Sequence, residues 1–101
     1  DFAAVLVVYK SREGYWKGFA HPYDVTTEGN TKKDTLTKLQ LLVNVYEDEL
    51  RQFKFPSHLV HKPQSDLEDR EMFRRVVNDA VEEKGIVDRF DYHAETHQVR
   101  S

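Results

Sequence analysis

The sequence predicts an α+β domain: a three- to four-stranded antiparallel sheet, one helix packed across it, and a second, C-terminal helix. Three observations carry this. Phe2 to Tyr9 is a continuous apolar, β-branched run, the composition of a central strand covered on both faces. Leu36, Leu39, Leu42, Val43, Tyr46 and Leu50 recur at helical spacing, as do Phe73, Val76, Val77, Ala80 and Val81.

Each element follows in order. Ser11-Arg12-Glu13-Gly14 turns the first strand into a second, Tyr15 to Ala20, and His21-Pro22-Tyr23-Asp24 breaks the ladder because proline has no N–H to donate. Val25 to Glu28 reads as a third strand ended by Gly29, a position where a positive φ is expected. Asn30 or Thr31 caps the first helix, with Asp34 in capping-box position, and the helix runs to about Arg51. Its stripe is expected to pack on Val5, Val7 and Phe19. Residues 53–64 read as a linker or a fourth strand (Phe53-Lys54-Phe55). Ser65-Asp66-Leu67-Glu68 opens the second helix, 65–85, which Gly85 and Ile86 close in a Schellman ending. Residues 86–101 read as a loose or partner-dependent tail, so removing Val87 to Ser101 is expected to leave the sheet folded.

Composition narrows the function. The chain has 101 residues, 15 basic against 18 acidic side chains, net charge −3, 12% aromatic residues and no cysteine. This is one domain, too aromatic for a disordered chain and not a wholly basic nucleic-acid coat, although local basic contacts to nucleic acid are not ruled out. Disulfides, Cys-based zinc sites and thiol nucleophiles are excluded, and a cytoplasmic setting is expected. The eight-residue apolar run is too short to span a bilayer, so no membrane role is expected.

The histidine pairs His93/His97 and His58/His61 have ligand-like spacing but no fixed third ligand, and read as solvated. Asp34, Glu47, Asp48 and Glu49 read as a solvated helix face, because consecutive carboxylates point around a helix rather than together. Arg12, Lys17, Trp16 and Tyr23 have the makings of a stacking platform for a nucleic-acid strand, but core packing of Trp16 with Lys17 in water is preferred. Arg70, Arg74 and Arg75 are offset by neighbouring carboxylates along the second helix. No catalytic, metal or cofactor residues are assigned, and a non-enzymatic protein is expected.

Glu13-Gly14-Tyr15-Trp16, Phe19, and Gly29-Asn30-Thr31 leading to Leu36, spaced without a gap, resemble the HicB family of antitoxins over residues 1–52. In place of that family's Pro-Asp-Leu-Pro-Gly-like turn stands Ala20-His21-Pro22-Tyr23-Asp24. The resemblance implies a β-β-β-α core and a protein-binding module. Its partner would be a small basic RNA-cleaving toxin, neutralised by covering the toxin's catalytic histidine within a homo-oligomer. Trp16, Tyr23, Ile86, Val87, Phe90 and Tyr92 are the candidate partner-binding residues, as aromatic and aliphatic side chains beyond what the first helix needs for a core. A structural subunit of an RNA–protein assembly is the alternative. So is a degenerate Nudix-like protein, whose Glu-rich helix is absent from Leu39 to Tyr46.

Overall fold

The computed structural model describes residues 3–21, 23, 25–52, 67–80 and 86–98. The order is β1 (Ala3–Lys10), β2 (Trp16–His21), β3 (Val25–Gly29), α1 (Lys32–Gln52), α2 (Leu67–Ala80), β4 (Ile86–Asp88) and β5 (Tyr92–Gln98). The fold is α+β. All five strands form one antiparallel sheet in the order β3-β2-β1-β5-β4. The apolar run thus becomes the middle strand.

Local chemistry sets the first half. Gly14, with φ 98°, closes the β1–β2 turn, its N–H donating to the Ser11 carbonyl at 3.1 Å. Thr31 is the N-cap of α1: its Oγ1 accepts the Asp34 N–H at 3.1 Å. Gly29 lies in ordinary extended backbone rather than at positive φ. Its constraint is steric, since a Cβ there would lie 2.6 Å from Oγ1 of Thr35.

Alternation along β1 divides the core into two layers. Ala4, Leu6 and Val8 face α1 and meet Leu39 and Val43, with Leu36 and Tyr46 at the margin. Val7, Tyr9 and Phe19 face the other way, onto Met72, Phe73 and Val76 of α2. The expected packing of the first helix on Val5, Val7 and Phe19 is therefore corrected: those residues serve the second helix. Two stripe members also differ, since Leu42 and Val77 are exposed and Met72 and Asp69 are buried instead.

The largest correction concerns the C-terminal segment. It is no loose tail: β5 pairs with β1 from Ala3↔Gln98 to Tyr9↔Tyr92, and Val87, Tyr92 and Ala94 are buried under α2. Among the described residues the sheet therefore has five strands, where three or four were expected. The candidate strand at residues 53–64, the capping residues Ser65 and Asp66, His58, His61, Val81 and Gly85 lie outside the described residues. Among the described residues, no helix is long and apolar enough to cross a membrane.

Candidate functional site

The β4–β5 hairpin turns at Arg89-Phe90-Asp91, and its geometry is fixed from several sides. Arg89 N–H donates to the Tyr92 carbonyl at 2.8 Å, and Lys10 N–H donates to the Asp91 carbonyl at 2.9 Å. From α1, the Lys32 ammonium donates to Asp88 at 2.8 Å and to the Arg89 carbonyl at 3.1 Å. From α2, the Arg75 guanidinium grips both oxygens of Asp91 at 2.8 and 3.3 Å and lies over the Tyr92 ring. The hydrogen bond from Lys32, and then that from His93, holds the Asp88 carboxyl below the usual carboxylate range. Arg75 does the same to Asp91. At the tip of this braced turn Phe90 is 98% exposed, and Ile86 on the adjoining edge strand is 60% exposed.

Of the six sequence candidates, the structure brings only these two to the surface. Tyr23, Val87 and Tyr92 are core residues, and Trp16 is half-buried against the α1 layer. The exposed apolar side chains of this hairpin are thus Phe90 and Ile86, with Asp88, Arg89 and Asp91 beside them.

Beneath α1 runs a polar seam that sequence reasoning missed. His93, Glu95 and His97 alternate onto the α1 face of β5, opposite Val8, Leu6 and Ala4. His93 lies between Asp88 at 3.2 Å and Glu95 at 2.9 Å, and Gln40 donates to the other Glu95 oxygen at 3.1 Å. His97 meets Glu47 at 2.8 Å, and the second Glu47 oxygen accepts the Tyr23 hydroxyl at 2.7 Å. Glu47 is buried, so it leaves the solvated group in which it was placed, while Asp48 and Glu49 stay exposed. Burial, followed by the Glu47 carboxyl, pushes the Tyr23 hydroxyl far above its ordinary range, so it remains a proton donor. This seam fastens β5 to α1.

The two histidines are not solvated as expected, nor do they converge. Four residues along a strand span about 13 Å, which puts them with separate carboxylates. Among the described residues, no group of three or more histidines and carboxylates is arranged to hold a metal ion. The period-two alternation of Tyr92 and Ala94 with His93, Glu95 and His97 marks the strand in the sequence, but not the seam, whose partners Asp88, Gln40 and Glu47 lie on other elements.

The basic residues are also absorbed. Lys17 does not face water: it reaches Glu68 at 3.4 Å and Asp69 at 3.7 Å and lies over the Tyr9 ring. Arg12 pairs with Glu71 at 2.7 Å, and its backbone N–H donates to Glu68. A groove of about 300 Å³ between the end of β1 and α2 is lined by Tyr9, Lys10, Arg12, Glu68, Glu71, Met72 and Arg75. Compared with known proteins, the chain matches no family profile, no curated sequence and no solved structure.

Proposed function

We propose that this chain is a non-enzymatic protein-binding module of the kind the HicB-like resemblance implies, holding a small basic RNA-cleaving protein through its β4–β5 turn. The observation that carries the reading is Phe90, a fully exposed aromatic on a turn that Lys32 and Arg75 brace from opposite faces of the sheet. Exposed aromatics supply large contact area, and a turn backbone fixed in advance removes ordering cost from association. The net charge of −3 suits a basic partner and speeds encounter. The β-β-β-α order from Ala3 to Gln52 agrees with what the resemblance implies. The paired state of Arg12, Lys17 and Arg75 argues against a nucleic-acid platform on the other face.

The test is co-expression with any small basic protein whose reading frame is found to adjoin that of this chain, reading co-purification and suppression of RNA cleavage. Phe90→Ala is expected to melt like the parent and to bind at least about tenfold more weakly, as for a central anchor. Equal binding by that variant, or no stable complex with the parent chain, overturns the reading.

A further inference from the structure

The outer face of α1, turned away from the sheet, is independent of the Phe90 turn. We propose that two copies of this chain pair through that face, their α1 helices lying antiparallel across a two-fold axis at the level of Val43, with both sheets on the outside.

The first observation is a helix that is apolar all round at its middle. Between Lys38 and Glu47, six of eight residues are apolar: Leu39, Leu41, Leu42, Val43, Val45 and Tyr46. Leu39 and Val43 face the core, yet Leu41, Leu42 and Val45 are 61, 42 and 58% exposed. A surface helix keeps its outer face polar, and one apolar on every side is normally covered on every side. The two polar residues do not interrupt the patch. Gln40 is turned to Glu95 of β5, and Asn44 follows it one turn later on the same flank.

The second observation is the line these residues make. At 3.6 residues per turn, Leu41 and Val45 stand opposite the buried positions Leu39 and Val43. Asp34, Lys38, Leu41, Val45, Asp48 and Gln52 follow one another in alternating steps of four and three, so they form one seam along the helix, and all six are exposed. Such spacing is that of helices that pack at about 20°. Leu42 lies beside the seam on the flank of Tyr46, which packs on Tyr23.

The third observation selects a second copy as the occupant. The seam is symmetric about Val43 in position and complementary in charge. A two-fold axis there sets Leu41 opposite Val45 of the other copy and Lys38 opposite Asp48, each pair occurring twice. Leu42 meets its own equivalent beside the axis. Asp34 falls opposite Gln52, next to Arg51 of the other copy. The Lys38 ammonium donates one N–H to the Glu28 carbonyl at 3.2 Å, and two remain for a carboxylate. Asp48 accepts from Arg51 of its own chain at 2.6 Å and keeps an outward lone pair for Lys38. Parallel pairing would instead oppose Lys38 to Lys38 and Asp48 to Asp48. A patch that complements itself is what an isologous interface requires.

Sedimentation of the full chain at tens to hundreds of micromolar is expected to approach twice the 11.9 kDa chain mass. Val45→Glu, at an exposed position, is expected to give a monomer with unchanged circular dichroism. Asp48→Lys alone is expected to weaken the dimer at least about tenfold, the order of a like-charge clash at an interface. Adding Lys38→Asp is expected to restore it. The chain has no cysteine, so oxidation reads the register. Leu41→Cys chains mixed with Val45→Cys chains are expected to cross-link. Neither variant is expected to cross-link with itself, because equivalent positions then lie about 6 Å apart along the helices as well as across them. Phe90→Ala is expected to leave the mass unchanged, which separates this proposal from the binding function. A monomeric parent chain, a dimer untouched by Val45→Glu or lost with Phe90→Ala, a charge swap no better than its single parts, or cross-linking of either cysteine variant with itself overturns the proposal.

Discussion

Tyr9, in the central strand, donates its hydroxyl to Asp69 of α2 at 2.6 Å, joining two residues that are both buried. The bond satisfies a carboxyl inside the α2 layer, where Lys17 also approaches at 3.7 Å. Tyr9→Phe keeps the ring and its edge-on contact with Phe19 but removes the donor. Leaving a buried acceptor short of a partner costs about 1–3 kcal/mol. Urea denaturation reads this directly, and an unchanged midpoint would show that the bond does not hold α2 in place.

Gly29 and Thr35 form a coupled pair. A methyl group at Gly29 meets Oγ1 of buried Thr35 at 2.6 Å, and that hydroxyl already donates to the Thr31 carbonyl at 2.7 Å. Gly29→Ala is expected to cost about 1–3 kcal/mol through overpacking. Adding Thr35→Ala removes the obstructing atom, so the double variant is expected to recover about 1 kcal/mol relative to additivity. At Gly14 the added methyl has open space but a φ of 98°, so Gly14→Ala measures backbone strain alone, about 1–2 kcal/mol. Simple additivity at Gly29 and Thr35 would contradict the steric account.

Truncation before Val87 now has a definite outcome. It removes β5 from along the whole of β1 and takes Val87, Tyr92 and Ala94 out of the α2 layer. The truncated chain is expected to lose its cooperative thermal transition. A shortened protein that still melts cooperatively at a similar temperature would contradict this topology.

Acid sensitivity should trace to the hairpin. Asp88 and Asp91 have depressed folded-state values, so their stabilisation is fully present above the unfolded carboxylate value of about 3.9. It is lost as pH falls through the lower folded values. Asp91→Asn is expected to be less stable than the parent at pH 7 and to lose less between pH 7 and about pH 2. Both carboxylates are well exposed, so added salt shrinks the difference. Urea midpoints at the two pH values provide the check, and identical losses in parent and variant would rule out this source.

The first half of the fold was legible because its signals are local. Gly14 marks a turn, Thr31 with Asp34 marks a helix start, and Phe2 to Tyr9 marks a doubly covered strand. That same strand could not reveal which helix takes which face. A run apolar at every position gives both faces equal claim, and so Val7 and Phe19 went to the wrong layer. β5 escaped notice for a different reason. Polar residues in alternation read as facing water, but His93, Glu95 and His97 face Asp88, Gln40 and Glu47 instead. Such a polar seam is visible only once both elements are in place. Of the candidate site, Ile86 and Phe90 were recognisable as apolar residues in a polar stretch, while the Lys32 and Arg75 braces come from distant helices and leave no local trace.

The pairing of the first strand with the last also sets a clock on biosynthesis. β1, β2 and β3 can zip together as soon as they emerge, but the other side of β1 receives its neighbour only when β5 is made. At about 5–20 residues per second, roughly 4–20 s separate the two strands on the ribosome. Throughout that interval Ala4 to Tyr9, the most apolar strand of the protein, presents an open edge. The nascent chain is therefore most prone to aggregation late in translation, and slowing the ribosome between α2 and β5 lengthens that exposure.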